Sequence, residues 1–170
     1  MRGFCLQLQG FGLISILHFR LEEEESVPLY TYEYPSDAIQ GSDLKRINGL
    51  LKEFSPNAQP LSLAELKEIL SVSYMAVLRD GRKAIVGMAT LVTYRKPTGC
   101  VGVIEDVIVT AQCRGRGGGR QLLRCLIGNA RQMRLKHLEL TSNPKRVEAR
   151  ALYQSLGFLL RDTGCFRLQL

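Results

Sequence analysis

No stretch of this sequence is apolar for long enough to cross a membrane, and no Cys-x-x-C occurs in it. The five cysteines, Cys5, Cys100, Cys113, Cys125 and Cys165, are odd in number and widely spaced. That pattern fits reduced thiols in a cytosolic or nuclear compartment better than a secreted disulfide framework. Histidine is scarce as well: His18 and His137 are the only two, and neither has a Cys or His partner at metal-ligand spacing. The reading is therefore no metal, and no Ser–His or Cys–His hydrolase arrangement. With 16 glycines and 6 prolines the chain is neither collagen-like nor of low complexity. Hydrophobic residues at 45% and charged residues at 23% exclude a mainly disordered chain. What is present is the material of one ordinary domain: 170 residues, enough to bury a sizeable core without staples.

The net charge of +7 is concentrated. Between Arg114 and Arg150 there are ten basic and two acidic residues, whereas the rest of the chain holds thirteen and fourteen. Such a basic segment suits an anionic partner, such as a phosphorylated cofactor, a nucleic acid or an acidic surface, or else forms a solubilising helix face. No aromatic residue occurs in it, so nucleic-acid bases would find nothing to stack on.

Residues 1–28 differ from the remainder. The apolar run Phe4–Phe19 is interrupted by glutamines and glycines, no small-x-small cleavage site follows, and Glu22–Glu25 come soon after. This reads as a poorly ordered extension, or as translation from an upstream start, and less well as a targeting signal. A single domain is expected over 29–170. Its strands are expected at Leu29–Tyr34, Tyr74–Leu78, Ala84–Thr93, Cys100–Val109 and Lys136–Leu140, with a closing hairpin at Phe158–Arg161 and Phe166–Leu168. Asp43 suits the cap of a first helix, Ser62 with Glu65 forms a capping box for a second, and Asp80-Gly81 marks a tight turn. A third helix runs from about Gly117 to Arg134 and a fourth from about Val147 to Leu156, stopped by Gly157. The fold class is α/β, a mixed sheet of about seven strands with helices on both faces.

One segment carries chemistry. Arg114-Gly115-Arg116-Gly117-Gly118-Gly119-Arg120 follows an apolar strand and opens the basic helix. Glycines let a ligand approach the main chain, and the free amides at a helix start favour an anion such as a pyrophosphate. A Walker A loop would need Gly-Lys-Ser/Thr, and a dinucleotide fingerprint a different glycine spacing. An arginine–glycine RNA-binding box would be repetitive and disordered.

Arg114-x-x-Gly117-x-Gly119 after Ile104-Glu105-Asp106-Val107-Ile108-Val109 resembles the acetyl-CoA-binding motif of the GNAT superfamily of N-acetyltransferases. Leu140-Thr141-Ser142-Asn143-Pro144, followed by Tyr153 and Leu156-Gly157-Phe158, is similar to that family's second half. The resemblance covers about 29–170, and Gly118 departs from it where an apolar residue is usual. It implies that the fourth and fifth strands splay apart, with the pantetheine arm of acetyl-CoA along Val107, Ile108 and Val109. The pyrophosphate would then sit on Arg114, Gly115, Arg116, Gly117, Gly118, Gly119 and Arg120, and Asn143 would touch the arm from the other side.

The implied activity is acetyl transfer to a primary amine by direct attack, with acetyl-CoA as cosubstrate. The acceptor is a small-molecule or protein amine; no nucleic acid and no membrane is expected as partner, a homodimer stays open, and the compartment is cytoplasmic or nuclear. By the resemblance Tyr153 lies near the thioester sulfur, where a phenol can protonate the leaving group. Glu105 is the preferred base, directly or through a water; Asp106 is its rival, since adjacent strand residues face opposite ways unless a bulge intervenes. Ile104-Glu105-Asp106-Val107 also resembles the same strand of glucosamine-phosphate N-acetyltransferases. A non-catalytic acyl-CoA or nucleic-acid-binding protein is the alternative of another class.

Overall fold

The computed structural model describes residues 30–34 and 39–169; the extension over 1–28 lies outside them. Five strands form one sheet in the order β1 (Tyr30–Glu33), β2 (Ser73–Arg79), β3 (Ile85–Lys96), β4 (Gly99–Val109) and β5 (Leu138–Glu139). The first four are antiparallel neighbours and β5 runs parallel to β4. Helices α1 (Gly41–Phe54) and α2 (Leu63–Val72) connect β1 to β2, α3 (Gly118–Gln132) crosses from β4 to β5, and α4 (Val147–Ser155) follows.

Alternation along the strands builds two cores. Met75 and Val77 of β2 pack with Ile47, Leu50, Leu66 and Leu70 of α1 and α2. Ala76 and Leu78 turn to the other face and meet Leu122, Leu123 and Leu126 of α3, together with Tyr153 of α4. Those three leucines are wholly buried, each contributing about 2 kcal/mol. Their spacing leaves Arg124 and Arg131 exposed on the opposite side of α3. The helix ends in a Schellman turn: Leu135 N donates to Ala130 O (3.0 Å) and Arg134 N to Arg131 O (3.0 Å). Arg134, rather than a glycine, takes the left-handed position at φ 54°.

The capping box on α2 forms as expected, with Ser62 and Glu65 bonded reciprocally. Asp43 does not cap α1. The helix already begins at Gly41, and Asp43 is buried in its first turn, accepting from Tyr34 Oη (2.7 Å) and both Nη atoms of Arg79 (2.9 and 2.7 Å). At the β2–β3 turn, Lys83 and not Gly81 has positive φ, and the Asp80 carboxylate accepts from the amides of Arg82 and Ala84.

The expected count of about seven strands is corrected to five among the described residues. The closing hairpin does not pair. Leu159, Leu160, Phe166 and Leu168 are exposed, and 158–169 runs beside β5 without joining the sheet. The fifth strand, expected over Lys136–Leu140, pairs only at Leu138 and Glu139, too short an edge to template two more strands. Arg161 is tied there through its side chain instead, to Glu139 at 3.0 Å.

Candidate functional site

The central feature is an irregularity in β4. Its register against β3 shifts between Met88↔Ile108 and Thr90↔Glu105, so Asp106 and Val107 together oppose Ala89. This is a β-bulge, and Asp106 sits in it at φ 50°. A bulge bends its strand. On the far edge, β4 pairs with β5 only at Gly102↔Leu138 and Val103↔Glu139. Beyond that the two strands part, and Val107, Ile108 and Val109 have no ladder partner on this side among the described residues.

The bulge also sorts the two carboxylates. Glu105 and Asp106 are both exposed, and Glu105 stands opposite the buried Thr90. Asp106 is the extra residue, and desolvation lifts its carboxyl above the ordinary carboxylate range. The perturbed acid is thus the one that sequence reasoning placed second, because no residue type announces a bulge.

Past Val109 a single 3-10 turn (Ala111–Cys113) leads into the glycine loop. Gly115 and Gly117 adopt φ 74° and 77°, where a side chain would be strained although no atom lies within 4 Å of a Cβ there. Gly119 is small for another reason: its Cβ would meet Leu152 Cδ2 of α4 at 3.2 Å. Gly117 precedes α3 without any side-chain cap, and the first bond of the helix runs from Gln121 N to Gly117 O (3.1 Å). The amides of Gly118, Gly119 and Arg120 therefore have no intrahelical acceptor, and the helix dipole adds positive potential at that spot.

The arginines divide their work. Arg114 Nε donates to Val109 O (2.9 Å) and its Nη2 to Glu53 (3.1 Å). Arg120 Nη2 donates to Ser155 Oγ (2.9 Å), joining α3 to α4. Both side chains hold protein groups, so what these residues offer an anion in this arrangement is mainly main-chain amide.

Across the gap, Asn143 Oδ1 accepts from Lys145 N (2.9 Å) and Asn143 O from Arg146 N (2.9 Å), shaping the entry to α4. Next to it, Ser142 Oγ is buried with no hydrogen-bond partner among the described residues. Tyr153 is 9% exposed and packs edge-on against Phe158, ring centroids 6.2 Å apart. Burial raises its phenol above the ordinary value, and the nearby Arg146 guanidinium partly opposes this. Tyr153 and Ser142 also line a cavity of about 1000 Å³ between α3, β5, α4 and the C-terminal segment. An uncapped helix start, an open strand edge and an orphaned hydroxyl are what a pyrophosphate on an amide-bearing arm would satisfy. No helix among the described residues is long and apolar enough to cross a membrane.

Residues 45–158 match the sequence profile of the Acetyltransferase (GNAT) family. A search among curated proteins finds no match. Among solved structures the chain is similar to an acetyltransferase from Trypanosoma brucei at 29% identity and a TM-score of 0.68, covering 84% of this chain and 100% of that one. It is also similar to the glucosamine-6-phosphate N-acetyltransferase of Arabidopsis thaliana (17% identity, TM-score 0.70, 83% of this chain and 98% of that one). A third is an aminoglycoside N-acetyltransferase solved in complex with CoA (18% identity, TM-score 0.69, 86% and 97%). The last two likenesses speak to the fold.

Proposed function

This chain belongs to the GNAT family of acetyltransferases, and from that premise we propose that it transfers an acetyl group from acetyl-CoA to a primary amine, with Tyr153 as acid and Asp106 as base. The observation that carries this reading is the bulge at Asp106, which opens the edge of β4 immediately before an uncapped, glycine-rich helix start. Val107, Ile108 and Val109 would bond the pantetheine amides, the backbone from Gly115 to Arg120 the pyrophosphate, and Asn143 and Ser142 the opposite side of the arm. When bound, acetyl-CoA supplies the acetyl group as an activated thioester.

The chain's own residues would do the proton work. An attacking amine must be neutral. A carboxyl whose affinity for protons is raised is a better base than an ordinary one, which favours Asp106 over Glu105. Tyr153 keeps its proton at neutral pH, as a donor to the departing sulfur must. The Glu105 carboxylate, exposed beside the bulge, is suited to attracting a cationic acceptor.

The acceptor is addressed by offering a panel of amines, glucosamine 6-phosphate, aminoglycosides and peptide amines included, with acetyl-CoA and detecting free thiol. For the best acceptor, kcat/KM is expected to rise along an acidic limb that vanishes in Asp106→Asn and persists in Glu105→Gln. The reverse pattern would give the base to Glu105. A protein that binds CoA and acetylates no amine would overturn the reading.

A further inference from the structure

The last two residues of α1 reach both banks of the gap. The Glu53 carboxylate accepts three hydrogen bonds from residues 57 to 61 positions away: Thr110 Oγ1 at 2.9 Å, Ala111 N at 2.8 Å and Arg114 Nη2 at 3.1 Å. Arg114 passes the grip on, since its Nε donates to Val109 O at the end of β4. Phe54, the next residue, lies under the Arg146 guanidinium, 4.5 Å from ring centroid to Cζ. Arg146 stands at the N-cap position of α4, beyond β5, with no capping bond from its side chain. One turn of helix thus holds the entry to the glycine loop with one side chain and the opposite bank with the other.

Stability alone does not account for this arrangement. The Glu53 and Arg114 side chains are 32% and 61% exposed, and ion pairs so placed contribute little to folding. What the three bonds do fix is geometry. Ala111 N is the first amide of the 3-10 turn, and with Val109 O tied through Arg114 the path from β4 into the loop is set from outside the loop.

We propose that Glu53 is a positioning residue for the cofactor loop, holding it in the form that receives the pyrophosphate. The inference rests on the cofactor reading above. It makes α1 a working part of that site through the loop that Glu53 holds.

The test is calorimetric titration of CoA into the wild type, Glu53→Ala and Glu53→Gln, with urea unfolding of each. Glu53→Ala should bind CoA about tenfold more weakly, as misplacement of a preorganised loop requires, with its urea midpoint close to that of the wild type. Glu53→Gln keeps a carbonyl oxygen for Ala111 N–H and should recover most of the affinity. Turnover at saturating acetyl-CoA should stay within about twofold, because the loop binds and does not react. Native CoA affinity in Glu53→Ala would overturn the proposal. So would a loss of affinity that comes with an equal loss of stability and is not rescued by glutamine. If the wild type itself failed to bind CoA, the cofactor reading would fall, and this inference with it.

Discussion

Tyr153 is a core residue with an exceptional tip. Its ring packs in the α3–α4 core and edge-on against Phe158, while the residue also lines the cavity beside Ser142. Packing and chemistry are thus carried by different atoms, and Tyr153→Phe separates them. We expect the substitution to leave stability and CoA affinity nearly unchanged and to lower kcat about a hundredfold or more, the usual cost of a lost general acid. Steady-state kinetics beside calorimetry checks this; an unaltered kcat with chemistry rate-limiting would remove Tyr153 from the mechanism. Position along α4 alone marks the residue as a packed aromatic, and only the surrounding motif singles it out. The two acids on β4 were legible as a pair. Which of them is perturbed was not, because the bulge depends on how β3 and β4 align. Asp is, however, one of the few residues that tolerate the left-handed region.

The turn into α3 asks different things of its glycines. Gly117 is needed for its backbone angle, so Gly117→Ala should cost about 1 kcal/mol and weaken CoA binding. Gly119 is needed for the closeness of α4. Gly119→Ala should destabilise the fold by pressing on Leu152, and a double-mutant cycle with Leu152→Ala should show coupling of about 0.5 kcal/mol or more. Additivity in that cycle would mean that α3 and α4 part without cost. Helix elements of this kind were readable in advance: the Ser62–Glu65 box and the leucine stripe of α3 are local patterns, and local physics decides them. The C-terminal segment was not. Its alternating apolar residues promise strands, yet a strand exists only where a neighbour offers backbone groups, and β5 offers two residues. Nor was the role of Glu53 legible, since its partners are more than fifty residues away.

At the scale of the whole molecule, the ion pair of Asp43 and Arg79 joins α1 to β2, and Tyr34 adds the chain beyond β1. The bidentate Arg79 guanidinium holds the Asp43 carboxyl below the ordinary carboxylate range against the effect of burial, and the Tyr34 hydroxyl reinforces it. A carboxyl lowered on folding contributes stability that is complete above its unfolded value, near 4, and is lost as pH falls through the folded one. Denaturant midpoints should therefore fall below about pH 4, and less steeply in Asp43→Asn. That variant should itself lose about 3 kcal/mol at neutral pH by removing the carboxylate that faces the Arg79 guanidinium. Equal acid sensitivity in the two proteins would place the titrating group elsewhere. The bulge leaves the two-faced pattern of β4 undisturbed. Omit Asp106 and the strand reads Ile104, Glu105, Val107, Ile108, Val109, an unbroken alternation. Ile104, Val107 and Val109 stand toward the α3 core and Ile108 toward the α1 core, as they already do. The parting of β4 from β5 thus coincides with one supernumerary residue, slipped into a strand whose parity it leaves intact; deleting it would take away the bend and move no apolar side chain to the wrong side.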